Sequence, residues 1–458
     1  MGVYLPLQPQ TYPAMKKMLL FLLSGLLATA LSAQTTRIPP AAAGNIPYRA
    51  GQWLPSDQKV LSQWLSDKIL LAEKSADGFH PVVEEFRQLI ENDPVVFMLF
   101  HQMFSQVPRK PPYNNDPMGK PQIRDYMHML QVINHVLTTA PEFNKTGLVG
   151  FPINAILDWP MGTPAGFAAF TNDKVNLHLK RILNAWGDFL KSPESRYVLN
   201  TDPHSGWFGK DAMEAMPGFE QMFVCDPAAP FHGFTCWDDF FTRRFREGQR
   251  PVASPGDDNV IANACESAPY KIARGVKARD HFWLKSQPYS LEHMLGGDPL
   301  ADRFTGGTVY QAFLSALSYH RWHSPVSGRI VKTRVIDGTY YAENLAEGYD
   351  PAGPNESQSF ITDMATRALV FIEADNPSIG LMCVVFVGMA EVSTCEVTVK
   401  EGQRVQKGDE LGMFHFGGST HCLVFRPEVK LKFDLHGQQA GLESQNIPVR
   451  SNIAEVLR

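Results

Sequence analysis

Basic runs are missing from this 458-residue chain. No stretch of five or more Lys and Arg occurs, and 42 basic against 47 acidic residues leave a formal net charge of −5. Nucleic-acid binding through phosphate neutralisation is therefore not expected. Long apolar runs are missing too. Met18–Leu31 has 14 residues, short of the roughly 18 that suggest a bilayer-spanning helix. Cysteine is scarce: the six residues at 225, 236, 265, 383, 395 and 422 form no C-x-x-C pair, so neither a zinc ribbon nor a thioredoxin-like site is indicated. The histidines at 80, 101, 128, 135 and 178 have no H-E-x-x-H pattern or carboxylate cluster around them, and no metal site is expected. What is present is the balance of a folded protein, 44% hydrophobic and 19% charged, in a chain long enough for two domains.

The amino terminus has its own pattern. Met15-Lys16-Lys17 precedes the apolar run Met18–Leu31, and Ser32-Ala33 then stands before Gln34, with Ala28-Thr29-Ala30 as a second small-x-small site. This is the order of a secretory signal peptide over residues 1–33, with Met15 as the start; a buried hydrophobic helix is the alternative. Export to the periplasm or outside the cell follows as an expectation. Removing residues 1–33 takes Lys16 and Lys17 with it and the net charge from −5 to −7. In an exported protein Cys225 and Cys236 are the first pair to consider for a disulfide, with six free thiols as the other reading.

The periodicity changes along the chain. Trp64, Leu65 and Leu71, then Val82, Val83, Phe86, Leu89 and Ile90 after Pro81, recur at mostly helical spacing. Tyr126, Met129, Leu130, Ile133, Val136 and Leu137 make another apolar face, and Val175, Leu179, Ile182, Leu183, Trp186 and Leu190 a further one. Asn92-Asp93-Pro94 reads as a break. Residues 34–205 are thus read as a helical domain and 206–233 as a Gly- and Pro-rich linker. Residues 234–458 are read as mostly β, with strands expected at Ala368–Ala374, Leu381–Val387, Val392–Val399 and Leu423–Phe433. The fold class is α+β. Two turn segments, His323–Ile330 and Val399–Gly412, resemble the hammerhead of biotinyl and lipoyl domains, but no lysine sits at a tip to carry either group.

Five motifs follow one another in the second half. They are Trp237-Asp-Asp-Phe-Phe-Thr-Arg243 with Arg250-Pro251, Tyr289-Ser-Leu-Glu292, Gly306-Gly307, Tyr319-His320-Arg-Trp-His323-Ser-Pro325, and Lys407-Gly408 to Gly412 leading into Gly417-Gly418-Ser419-Thr420. Alone, Gly-Gly-Ser-Thr suits any β-turn. In this order the set resembles the phosphatidylserine decarboxylase family over about Phe234 to Phe433. Asn263-Ala-Cys-Glu266-Ser267, Lys277 to Lys285 and Gly306 to Phe313 are most similar to its soluble tryptophan decarboxylase branch, as is the helical first half.

The resemblance implies a self-processing lyase with a pyruvoyl group made from Ser419. Ser419 attacks the Gly418 carbonyl with His323 as base and Glu266 orienting that base. Elimination and hydrolysis then leave a β chain ending at Gly418 and an α chain of residues 419–458. The pyruvoyl ketone would form a Schiff base with a substrate amine and accept electrons as CO₂ leaves, with His320 returning a proton. Most of the family has Asp-Gly where Glu266-Ser267 stands, so Asp257 and Asp258 remain alternatives for the acid. Two substrates stay open: an aromatic L-amino acid such as tryptophan, or phosphatidylserine, which would ask for a membrane-facing apolar surface. Two roles stay open for the helical half, shielding the site or joining copies in a homodimer. A non-catalytic binding protein on the same fold is the reading from another class; Ser419 and His323 argue against it.

Overall fold

Helices in the first half begin where a side chain can replace the missing backbone partners. The computed structural model describes residues 58–74, 78–107, 123–143, 152–280, 288–315, 317–345, 357–391, 394–415 and 419–457, with residues 58–62 and Ser419 as backbone only. The signal-peptide reading over 1–33 and the cleavage-site residue Gly418 lie outside the described residues. Helix α1 spans Gln58–Lys74, α2 Pro81–Asn92, α3 Pro94–Gln106, α4 Tyr126–Val136, α5 Pro152–Met161, α6 Pro164–Phe170 and α7 Asp173–Leu190. Pro81 starts α2, where its lost N–H costs nothing, and Val83, Phe86 and Ile90 turn inward. At the expected break the Asp93 carboxylate accepts the Val95 and Val96 N–H groups at 3.0 and 3.2 Å, so the chain restarts as α3. Asn172 caps α7 in the same way, and its buried face includes Val175, Leu179, Ile182, Leu183, Trp186 and Leu190. Helices α3 and α5 have no readable sequence signal, because PVVFMLF and PINAILDWPM are apolar on nearly every side.

Residues 206–233, expected as a linker, are packed. Helices α8 (Lys210–Ala215) and α9 (Phe219–Met222) lie there, and Trp207, Phe208, Phe219 and Phe223 join the common core. Gly209, read as a linker signal, serves close approach instead: a Cβ there would stand 1.7 Å from the Asp202 carbonyl oxygen. Pro47–Arg458 accordingly forms one compact unit, helical and sheet regions together. Helix α10 (Trp237–Phe241) follows, and α11 (Leu291–Met294) and α12 (Gln358–Met364) are set among the strands.

The strands are β1 Val260–Ala262, β2 Ala268–Arg274, β3 Thr308–Leu314, β4 Arg321–His323, β5 Gly328–Ile336, β6 Arg367–Ala374, β7 Leu381–Gly388, β8 Thr394–Val397, β9 Arg404–Val405, β10 Glu410–His415, β11 Ser419–Phe425, β12 Leu431–Phe433 and β13 Asn452–Val456. Among the described residues they form a seven-stranded sheet, β2-β3-β11-β7-β6-β5-β9, and two three-stranded sheets, β4-β10-β8 and β1-β13-β12. The run expected at Leu423–Phe433 is two strands, because Arg426-Pro427 cannot continue a central ladder. The two hammerhead-like segments meet: β4 pairs with β10 and β5 with β9, both antiparallel. Every residue of β7 is buried, which explains its unbroken apolar run.

No disulfide forms; all six cysteines are free thiols. The pairing expected for Cys225 and Cys236 is not made. Cys236 caps α10, its sulfur accepting the Asp239 N–H at 3.4 Å, while Arg246 reaches the Cys225 sulfur and carbonyl. No helix among the described residues is long and apolar enough to cross a membrane.

Gly412 sets how closely the three-stranded sheet packs. A Cβ there would lie 2.1 Å from the Glu396 carbonyl oxygen and 2.8 Å from the Trp322 ring. Gly412→Ala is expected to destabilise the protein by about 1–3 kcal/mol, as overpacking does, lowering its melting temperature in calorimetry.

Candidate active site

Ser419 opens β11, an interior strand. It is paired with Leu314 of β3 on one side and Gly388 of β7 on the other, and the register continues on both sides to Phe425. The preceding strand, β10, ends at His415. His415 is buried between two carboxylates: Nδ1 lies 2.9 Å from Asp238 Oδ1 and Nε2 2.9 Å from Glu396 Oε2. Burial opposes its charge, but the hydrogen bonds from Asp238 and Glu396 and the Asp238 charge prevail and raise its pKa. Asp238 belongs to the Trp237–Arg243 motif, so that motif holds the end of the strand leading to the cleavage segment.

The two motif histidines face different surroundings, as alternation along a strand requires of positions three apart. Trp322, between them, stacks on Phe386 of β7 at 4.0 Å. His320 is fully buried and stacks on Phe241 of α10 at 4.2 Å, and its carbonyl accepts the Phe414 N–H of β10. His323 turns the other way. Its Nδ1 is 2.9 Å from the Gly408 carbonyl and its Nε2 is 3.0 Å from the Tyr319 hydroxyl. With the proton on Nδ1, that nitrogen donates to Gly408 and Nε2 accepts from Tyr319; with the proton on Nε2, Nδ1 accepts instead from the Arg450 Nε at 3.3 Å. The Arg450 guanidinium lies 3.1 Å from the same Nδ1 and donates to the Gly408 carbonyl at 3.0 Å. Burial, then the Arg450 charge, push the imidazole down to about 3, so it is neutral at physiological pH.

The Lys407-Gly408 motif has a mechanical meaning here. Gly408 adopts φ 90, a left-handed conformation costly to other residues, and so presents its carbonyl to His323. Lys407 Nζ donates to the Ser254, Asp257 and Val260 carbonyls and ties this turn to the Asp257 loop. Arg243, buried over Phe219, Phe223 and Phe240, donates to the Leu317 and Ser318 carbonyls just ahead of Tyr319. Its pKa falls to about 10 through burial.

Glu266 does not reach His323. Its carboxylate forms a two-pronged pair with Arg250 at 2.6 and 3.1 Å and accepts the Val449 N–H at 2.9 Å. The orienting contact expected between Glu266 and His323 is absent because Arg250, from the Arg250-Pro251 motif, takes the acid. Glu266 instead holds the residue before Arg450, and Arg450 touches the imidazole. Asp257 accepts from Asn259 within its own turn, with its backbone tied to Lys407. Glu266 thus reaches the surroundings of His323 by its carboxylate, through Val449, and Asp257 by its backbone carbonyl, through Lys407.

Sequence reasoning missed Arg450, Tyr319 as a hydroxyl partner, and His421. His421 is two positions along β11 and shares its face with position 419. It is fully buried, and burial pushes it down to about 3 against the opposing influence of the Ala312 backbone. Period-two counting from Ser419 would have found it. Arg450, 127 residues from His323, had no local signal.

Comparison with known proteins agrees with the motif order. Two family models, both described as phosphatidylserine decarboxylase, match residues 80–216 and 237–447. The L-tryptophan decarboxylase of Psilocybe cubensis is 38% identical over 411 residues, covering 84% of this chain and 90% of the relative. Decarboxylase iboD of Amanita muscaria is 48% identical over 302 residues, 62% of this chain and 86% of the relative. Phosphatidylserine decarboxylase proenzyme 3 of Schizosaccharomyces pombe is 34% identical over 200 residues, 44% of this chain and 20% of the relative.

Two measurements check these electrostatics. Arg450→Gln removes a positive charge beside His323, so its imidazole should titrate at higher pH in ¹⁵N NMR. His415 gives the opposite type of linkage. Its raised folded pKa stabilises the fold fully below the unfolded value of about 6.5, and this is lost as pH rises through the folded pKa. Asp238→Asn should therefore lower the melting temperature more at pH 6 than at pH 9.

Proposed function

The chain belongs to the phosphatidylserine decarboxylase family and is a decarboxylase, and we propose that it cuts itself between Gly418 and Ser419 and acts on an L-amino acid with an aromatic side chain. The observation that carries the self-cleavage reading is the position of residue 419 at the head of an interior strand. A cut there frees a chain end inside the fold while both neighbouring strands keep β11 in register.

The maturation chemistry uses the chain's own atoms. Ser419 Oγ adds to the Gly418 carbonyl and the amide becomes an ester, its nitrogen gaining the proton the hydroxyl gives up. Elimination across Cα–Cβ expels the Gly418 carboxylate. Water then replaces the nitrogen, which leaves as ammonia, and a ketone remains at position 419. His323 is the base for these transfers: buried and neutral, it keeps the lone pair that a base needs. Glu266 acts at one remove, through Val449 and Arg450.

A pyruvoyl group supplies a carbonyl that accepts electrons when an amine substrate loses CO₂. Position 419 is paired with Gly388, which has no side chain, and His421 shares its face of the strand. His320, just ahead of β4 and stacked on Phe241, is assigned the proton returned to the product carbon. The aromatic amino acid reading rests on the L-tryptophan decarboxylase relative, which is matched through the helical half as well. Phosphatidylserine is the second reading, favoured by the exposed Val95, Phe97 and Met98 of α3, an apolar surface of the kind a lipid substrate needs.

Intact mass should reveal a 40-residue fragment, residues 419–458, blocked to Edman chemistry. Ser419→Ala should remain one chain. His323→Ala should accumulate uncut protein, whereas His320→Ala should cut normally and release CO₂ about 10²–10⁴-fold more slowly. Glu266→Gln should slow cutting less than His323→Ala does. Wild-type protein that stays uncut yet releases CO₂ from tryptophan would sink the self-cleavage reading. CO₂ released from phosphatidylserine and from no amino acid would sink the substrate reading.

A further inference from the structure

Near the candidate active site, the helical half and the sheet meet at a group of buried polar side chains that the maturation chemistry does not use. Gly388, the partner of Ser419, ends β7, and Glu391 follows three residues later. Cross-strand partners lie about 5 Å apart and three residues reach at most about 11 Å, so Glu391 is within about 16 Å of position 419. The intervening Ala390 has φ 53, a left-handed conformation unusual for alanine, and is held by its N–H bond to the Tyr340 carbonyl. This turn sends Glu391 against the start of α5. One carboxylate oxygen accepts the Ile153 and Asn154 N–H groups at 2.5 and 2.8 Å.

The other oxygen of Glu391, the side-chain amide of Asn154 and the Tyr341 hydroxyl have no hydrogen-bond partner among the described residues. All three residues are fully buried. Tyr341 is close enough to Glu391 for its ionisation to feel the Glu391 charge. Burial pushes the Glu391 carboxyl up to about 8, against the hydrogen bonds from the Asn154, Glu391 and Ile153 N–H groups, so at neutral pH it is mostly an uncharged O–H donor. Leaving such groups buried and unmatched costs stability, and clusters of them are retained where a ligand or water supplies the missing bonds.

We propose that Glu391, Asn154 and Tyr341 form the side-chain recognition subsite of the enzyme, and that they select amino acids whose side chain can hydrogen-bond, such as a heterocyclic N–H or a hydroxyl, over purely hydrocarbon ones. The inference rests on the amino-acid decarboxylase reading and adds to it a substrate class and a purpose for the helical half. An uncharged carboxyl, an amide and a hydroxyl offer both donors and acceptors without a net charge, which suits a neutral polar side chain. A site built to pair such a group discriminates against an analogue lacking it, because its own polar atoms are then left unsatisfied.

The test compares kcat/KM for tryptophan, tyrosine and phenylalanine in the processed wild-type, Asn154→Leu and Tyr341→Phe enzymes, by CO₂ release. Chain cutting and melting temperature are read alongside. Wild type should prefer tryptophan or tyrosine over phenylalanine by tenfold or more. Both variants should narrow that ratio about tenfold, the size of one lost hydrogen bond, with phenylalanine turnover kept. If Asn154→Leu does not fold, Tyr341→Phe, which removes one hydroxyl, decides alone. An unchanged ratio in a cut, active variant overturns the subsite and assigns these groups to structural water. CO₂ release from no amino acid, including tryptophan, overturns the substrate reading on which the subsite rests.

Discussion

The structure depends on β11 being bonded along both edges. From Ser419 to Phe425 the strand pairs residue by residue with β3 and with β7. Interior strands are usually specified by burial on both faces, and the Cys422–Phe425 stretch is wholly buried. Here the same ladder also fixes where the reactive end lies. The strand cannot slip by one residue without exchanging His421 for Thr420 or Cys422 and breaking the Thr420 bonds to Gln311 and the Ala312 carbonyl. The register that builds the core therefore also selects which groups share a face with position 419.

Around that ladder, electrostatics are set by burial more than by charge pairs. His323 and His421 are both driven neutral by desolvation, and the cation beside His323 pushes in the same direction. Glu391 is driven neutral by the same effect, although its hydrogen bonds oppose it. His415 is the exception, because it is sandwiched between Asp238 and Glu396. Burial thus favours the uncharged forms of His323, His421 and Glu391, whereas the carboxylates around His415 favour its charged form.

Much of this was legible in the sequence, for identifiable reasons. Helices with one wet face, such as α2 and α7, repeat their apolar residues at helical spacing and were readable. Helices α3 and α5 were not: α5 is buried on nearly every side, and α3 carries apolar residues on its exposed face as well, so neither shows a polar side. The Gly- and Pro-rich stretch at 206–233 looked like a linker because close backbone approach and flexibility call for the same residues. In the site, the histidines and the serine were found from ordered motifs. The acid's partner was not, because nothing local links Glu266 to Arg250 or Val449. Arg450 and Tyr341 were invisible for the same reason: their roles arise from contacts made only in the folded chain.

The start of α5 also has a consequence for biosynthesis. Its first free N–H groups are satisfied by Glu391, which lies 238 residues beyond Ile153 in the chain. At about 5–20 residues per second, a ribosome needs about 10–50 s to make that stretch. For that interval the nascent helical half holds an uncapped helix end and an uncovered apolar surface, without the sheet that will bury them. The start of α5 can take its final bonding only after the sheet residues up to Glu391 have been made.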